Sequence, residues 1–225
     1  MNDIKELNEH IINKFNEEGY VVVDNLIPPI LLEGMRYWAL TTDYDPNQIY
    51  SGGYRTRDFG DNQRKGTDNT YFQIPELRET VKILSALDIN KDKEFSRGWF
   101  FIHQNKCKGV GPHADPASIN INIWVTPIWC VKDHSKNGLK VWDQKHPDNW
   151  SWDQYNRDTG EIDEFLESKN AKERKIPYAF NRATIFDSAY FHATDDVHMH
   201  PGHHNKRINF TFMFIDKDKN AQDYL

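Results

Sequence analysis

The chain has 225 residues, 38% hydrophobic and 13% aromatic, with a formal net charge of −6. That length fits one domain, or one with an added lobe, and a chain of this size buries roughly 70% of its unfolded surface without disulfides. The acidic balance argues against a general nucleic-acid or anionic-membrane surface. With no charged-then-apolar leader at Met1 and no apolar run of about 18 residues, neither export nor membrane spanning is expected.

Ile4, Leu7, Ile11, Ile12 and Phe15 recur at helical spacing, and Gly19 follows as a C-cap. Tyr20 to Val23 is a short β-branched run, and Pro28-Pro29 opens a second helix through Leu31, Leu32, Met35 and Trp38. Residues 43–70 are rich in Gly, Asp, Asn and Arg without periodicity, which reads as a long functional loop. A third helix is expected from about Pro75 to Leu87. From Ser96 onward the pattern becomes that of strands: Arg97–Gln104, Ile119–Thr126 with strict alternation, Leu139–Trp142 after the Asn137-Gly138 turn, Thr184–Phe186, Phe191–Ala193 and Arg207–Ile215. Residues 143–178 read as a polar excursion and 216–225 as a charged, frayed tail. Cys107 and Cys130 belong to no CxxC pair and suit reduced thiols in a cytoplasmic protein. Helices followed by many short strands indicate an α+β, mainly β layout, a jelly roll buttressed by N-terminal helices. The expected division is one domain over 1–215, helical in 1–95 and β in 96–215.

One constellation carries chemistry. On a strand, residues two apart project to one side, so His113 and Asp115 can reach one ion. His192 lies in the aromatic run Tyr190-Phe191-His192-Ala193, and Arg207 follows 15 positions later. Two imidazoles and a carboxylate can occupy one face of a metal octahedron and leave the opposite face open. In Arg207–Phe214 the polar residues Arg207, Asn209 and Thr211 share one strand face. A guanidinium on such a strand is costly to bury unless an anion meets it.

These segments resemble those of the iron(II)- and 2-oxoglutarate-dependent oxygenase superfamily, near its phytanoyl-type and prolyl-hydroxylase-type branches. The residues that carry the likeness are Gly111-Pro112-His113-Ala114-Asp115, Asn181–Ser188 leading into His192, Lys206-Arg207-Ile208-Asn209-Phe210-Thr211, and the early Glu18-Gly19-Tyr20-Val21-Val22-Val23. The resemblance implies a cupin-like double-stranded β-helix in which His113, Asp115 and His192 bind Fe(II). It also implies that Arg207 binds the distal carboxylate of 2-oxoglutarate, with O2 as co-reactant and ascorbate as an optional addition. Asn122 and Asn209 are the candidates for further cosubstrate contacts. The family pattern often has Ser two after the arginine, where this chain has Asn209.

Two other readings remain open: a cupin-like metal enzyme without an oxoacid, and a non-catalytic binding domain on the same fold. The expected partner is a small molecule, with loops 43–70 and 143–178 at the pocket mouth; oligomeric state is not legible. His198-Met199-His200-Pro201-Gly202-His203-His204 is the rival metal segment, read first as an exposed polar loop. Arg55, Arg57, Arg64 and Lys65, with Tyr50, Tyr54 and Tyr71, make the early loop a candidate lid over an anionic substrate. His103 reads as a satisfied interior histidine, and Trp99, Trp124, Trp129 and Trp142 as core or pocket wall.

Overall fold

Alternation in two central strands decides the architecture, because it gives one sheet an apolar face and a polar one. The computed structural model describes residues 2–42, 53–59, 73–157, 159–219 and 221–224; Tyr50, Arg64, Lys65 and Tyr71 lie outside them. The strands are β1 (Tyr20–Asp24), β2 (Tyr54–Phe59), β3 (Lys93–His103), β4 (Lys106–Cys107), β5 (Ile119–Trp124), β6 (Leu139–Lys145), β7 (Glu173–Ile176), β8 (Arg182–Asp187), β9 (Tyr190–Thr194), β10 (Val197–His198) and β11 (Ile208–Asp216). A six-stranded antiparallel sheet runs β1-β8-β5-β11-β3-β2, and it faces a three-stranded sheet β7-β6-β9 and the pair β10-β4. This is the expected double-stranded β-helix, mainly β with buttressing helices.

The apolar face of the large sheet presents Ile119, Ile121, Ile123, Phe210, Phe212 and Phe214 to one core cluster. Helices α1 (Asn2–Glu18), α2 (Pro29–Thr41) and α3 (Pro75–Ser85) close that core with Ile11, Leu32, Met35, Leu77 and Leu84. Each helix stops for a local reason. Gly19 takes φ +76° and donates its N–H to the Phe15 carbonyl, which ends α1 and opens β1. Prolines at the first turns of α2 and α3 need no N–H partner there.

The opposite face of the sheet is polar and points into the barrel. Register sets its residues in rungs across β5, β11 and β3: Asn120, Met213 and Arg97; then Asn122, Thr211 and Trp99; then Trp124, Asn209 and Phe101. The functional site is built on these rungs.

Several expectations need correction. Residues 54–59 form edge strand β2 and not loop, because they pair with β3. The 143–178 excursion carries the end of β6, two short helices (α4, Trp152–Asn156, and α5, Thr159–Ser168) and β7. The tail is docked: Tyr224 exchanges hydrogen bonds with Asp216, and its carbonyl accepts from the Tyr155 hydroxyl at 2.6 Å. Trp129 is exposed and belongs to neither core nor pocket wall, and Ile4 is exposed as well. Arg207 lies one residue before β11, although its carbonyl still accepts from the His103 N–H at 3.0 Å. No helix among the described residues is long and apolar enough to cross a membrane.

Phe210 is fully buried between the sheet and Trp38. Phe210→Ala is expected to lower stability by about 3–5 kcal/mol, read as a reduced urea midpoint with an unchanged slope.

Candidate metal centre

His113 and His192 are brought together by their backbones. Each donates its N–H to the other's carbonyl, at 3.0 and 2.8 Å, an isolated antiparallel bridge that ties the segment after β4 to β9. Beyond the bridge the chain leaves regular strand geometry, so the expectation that His113 and Asp115 share a strand is not met. Single contacts hold the segment instead: Ala114 N–H to the Tyr155 carbonyl, Asp115 N–H to the Ser188 carbonyl, and Asn156 Nδ2 to the Ala114 carbonyl. These contacts bring Asp115 to the same point that strand alternation would have reached.

The ligating atoms of His113, Asp115 and His192 all lie within 4.8 Å of one another, and no other such group occurs among the described residues. His113 Nδ1 lies 2.8 Å from the Gly111 carbonyl and His192 Nδ1 lies 3.1 Å from the Tyr190 carbonyl. A carbonyl only accepts, so each Nδ1 carries the proton and each Nε2 presents a lone pair. His192 Nε2 then faces Asp115 Oδ2 at 3.3 Å, and His113 Nε2 faces Asp115 Oδ1 at 3.9 Å. Three acceptors converge with no proton between them. A divalent cation satisfies that arrangement, and the donor set is that of a facial two-histidine, one-carboxylate site.

Electrostatics agree with this protonation. Burial, with the neighbouring His192, pushes the His113 imidazole down to about 4, so it is neutral at pH 7. Burial opposes ionisation of Asp115, yet its close approach to His192, with His113 and Arg97 beyond, holds its carboxyl below the usual range. Asn120, fully buried on β5, donates from Nδ2 to Asp115 Oδ2 and orients the carboxylate. The sequence reading missed Asn120. The signal was present, since it shares a strand face with Asn122.

Two cavities adjoin the centre. A narrow inner one is lined by Asn122, Leu139, Asn209 and Thr211 beside the three ligating residues. An outer one of about 810 Å³ opens past His113 and Asp115. Asn122 and Asn209 are therefore inside the barrel as expected. Asn122 Nδ2 donates to Thr211 Oγ1 at 3.2 Å, and its Oδ1 has no partner among the described residues. Arg207 is completely buried behind Asn209 and does not itself line the inner cavity. Its Nη1 donates to Asn209 Oδ1 at 2.7 Å and its Nε to the Asn137 carbonyl at 2.7 Å. Among the described residues no carboxylate pairs with it. Burial pulls its guanidinium down to about 10, which still leaves a cation at pH 7.

His103 is buried as expected but not satisfied: neither ring nitrogen has a partner in hydrogen-bond geometry, although Asn209 is close enough to favour its cation. Burial, then the Arg207 charge, push its imidazole well below the usual range. The rival segment does not gather into a metal site. His198 lies on β10 beside Asp133 at 3.9 Å, and His203 donates to the Leu40 carbonyl from a short turn.

No protein-family model matches the chain, and no curated relative matches it by sequence. Solved structures do match. The non-haem α-ketoglutarate-dependent carbocyclase SnoK of nogalamycin biosynthesis superposes with TM-score 0.67 at 10% identity, over 95% of this chain and 85% of that one. HygX from Streptomyces hygroscopicus, solved with nickel and 2-oxoglutarate, gives 0.60 at 12% identity over 92% and 87%. A prolyl hydroxylase from Trichoplax adhaerens gives 0.59 at 11% identity over 98% and 94%. The chain has the fold of the iron(II)- and 2-oxoglutarate-dependent oxygenases. Within that fold the bridge at His113 and His192 is what closes the small sheet around the site.

Two outcomes test this centre. Asn120→Ala is expected to weaken nickel(II) binding about 10–100-fold, measured by titration calorimetry, with the fold retained by circular dichroism. The pH dependence follows from the depressed His113 imidazole. Between the ordinary histidine value of 6.5 and about 4, the unfolded chain takes up a proton that folded His113 refuses. The metal-free protein is therefore expected to lose stability as pH falls through that window. A urea midpoint that is flat across it would contradict the assignment.

Proposed function

We propose that the protein is an iron(II)- and 2-oxoglutarate-dependent dioxygenase that hydroxylates a small molecule, releasing succinate and CO2. The observation that carries this reading is a buried guanidinium without a carboxylate, one residue behind a cavity whose other wall is three converging acceptors. An unpaired buried ion costs on the order of several kcal/mol, and a dicarboxylate bridging metal and cation would remove that cost. When bound, iron(II) with 2-oxoglutarate and O2 supplies the oxidant that places one oxygen atom in a substrate C–H bond and the other in succinate.

The chain's own contribution is placement. His113, Asp115 and His192 would hold the metal by one face, and Asn120 fixes the carboxylate plane. Asn122 and Thr211 offer polar atoms midway along the inner cavity, and Asn209, whose Oδ1 accepts from Arg207, has an Nδ2–H to donate to a distal carboxylate. That charge-assisted contact contributes roughly 1.5–3 kcal/mol and sets orientation. Leu139, Trp99 and Phe101 keep the chamber dry, which strengthens each of these interactions. A metal enzyme without an oxoacid would leave Arg207 buried with carbonyl acceptors alone, so the cation favours the first reading.

Anaerobic addition of iron(II) and 2-oxoglutarate is expected to give a weak visible charge-transfer band, absent in His113→Ala and Asp115→Ala. Arg207→Ala should raise the 2-oxoglutarate concentration needed for the band at least tenfold while iron binding stays near wild type. A wild-type protein that binds iron and shows no band would refute the oxoacid assignment.

A further inference from the structure

The outer cavity is lined by Arg97, to which the functional reading above assigns no contact with cosubstrate or substrate. Arg97 is half-buried on β3, on the same rung as Met213 and Asn120, and Asn120 is the residue that holds Asp115. It is thus level with the metal centre, and its charge helps keep Asp115 ionised. Arg207 lies at the other end: six residues along the sheet separate it from Met213, roughly 20 Å at the rise of a β-strand. The distal carboxylate of a dicarboxylate running from the metal toward Arg207 would lie away from Arg97.

The other cations on this wall are engaged. Lys108 pairs with Asp196 at 3.5 Å, and Arg157 pairs with Asp153 at 3.2 Å and stacks 3.9 Å from the Trp152 ring. Among the described residues the Arg97 side chain has neither a hydrogen bond nor an ion pair, and it rests against Trp99 at 5.5 Å. Asp58, an acidic neighbour in the same cavity, is exposed and already has an interaction of its own. A guanidinium braced by an aromatic ring and without a directly paired carboxylate among the described residues presents a planar fork that matches a carboxylate or a phosphate. Beside it Tyr54, Trp99, Phe101 and Trp152 form an aromatic wall that leads to His113 and Asp115.

Resting on the functional reading above, we propose that the molecule oxidised here is a small oxyanion with an apolar or aromatic body. Its carboxylate or phosphate pairs with Arg97, and its body lies against Trp99 and Phe101. The oxidised carbon then sits a few bonds from the anionic group. This placement makes Arg97 a specificity-determining residue, distinct from the cosubstrate anchor.

The test uses protein loaded with nickel(II) and saturated with 2-oxoglutarate, so that the inner anion position is filled. Titration calorimetry compares 3-phenylpropionate, phenyl phosphate and the neutral 3-phenylpropanamide. At least one anion is expected to bind ten-fold or more tightly than the amide, and the better of the two identifies the oxyanion. Arg97→Gln should abolish that preference and Arg97→Lys should keep part of it, each measured at nickel(II) and 2-oxoglutarate concentrations that saturate the variant. Equal binding of anions and amide, binding of none of the three, or a preference that survives in Arg97→Gln would overturn the proposal. Failure of the functional reading is separable, since it appears as lost 2-oxoglutarate binding to the nickel-loaded wild type.

Discussion

Three lone pairs aimed at one buried point, with no proton to share, form the constraint around which this molecule is arranged. Two of them belong to imidazoles whose other nitrogens are committed to the Gly111 and Tyr190 carbonyls. Neither ring can turn to relieve the repulsion without losing that bond. The paired backbone hydrogen bonds between His113 and His192 hold the two rings 4.3 Å apart, centroid to centroid. The protein is therefore pre-organised for a cation. Much of the barrel's inner polarity makes sense only as support for this point.

The inner face of the large sheet grades from metal to anchor. Asn120 serves the metal ligand, Asn122 and Thr211 occupy the middle rung, and Asn209 meets Arg207 at the far end. Buried polar atoms without partners concentrate here: Asn120 Oδ1, Asn122 Oδ1, Thr184 Oγ1 and both nitrogens of His103. Each costs about 1–3 kcal/mol if left unsatisfied, and a folded chain carries such costs mainly where a ligand or water completes the bonding. The outer face of the same strands is wholly apolar and packs under the helices. One sheet thus separates a stabilising layer from a chemical one, with a period of two residues.

Two guanidiniums mark opposite ends of the chamber and differ in environment. Arg207 is sealed, held by main-chain oxygens and Asn209, and its position is set by the Asn137-Gly138 turn whose carbonyls it meets. A Cβ on Gly138 would fall 2.2 Å from the Ile176 carbonyl oxygen, so that turn admits no side chain there. Arg97 is open to the outer cavity and braced by an indole. The sealed cation suits an invariant cosubstrate, and the open one suits a molecule that must enter and leave.

Local pattern made several features legible in the sequence alone. Alternation in Ile119–Trp124 and in the run after Arg207 gave the two strand faces, because side chains on a strand project by turns whatever the partner. Gly19 and the paired prolines marked helix ends through backbone restrictions that act within one or two residues. The His113, Asp115 and His192 set was legible by residue type, whereas the place of Asn122 and Asn209 inside the barrel followed only from strand register. What pattern did not reveal was everything decided between strands. The strand at 54–59 exists because β3 offers an edge, and the tail is ordered because Tyr224 reaches Asp216. Asn120 matters because register sets it under Asp115, and Arg97 because the same rung leaves it facing a cavity with no directly paired carboxylate among the described residues. Side-chain periodicity is a property of a single strand. Register, and hence which charges meet and which stay alone, is set only when strands distant in the chain pair.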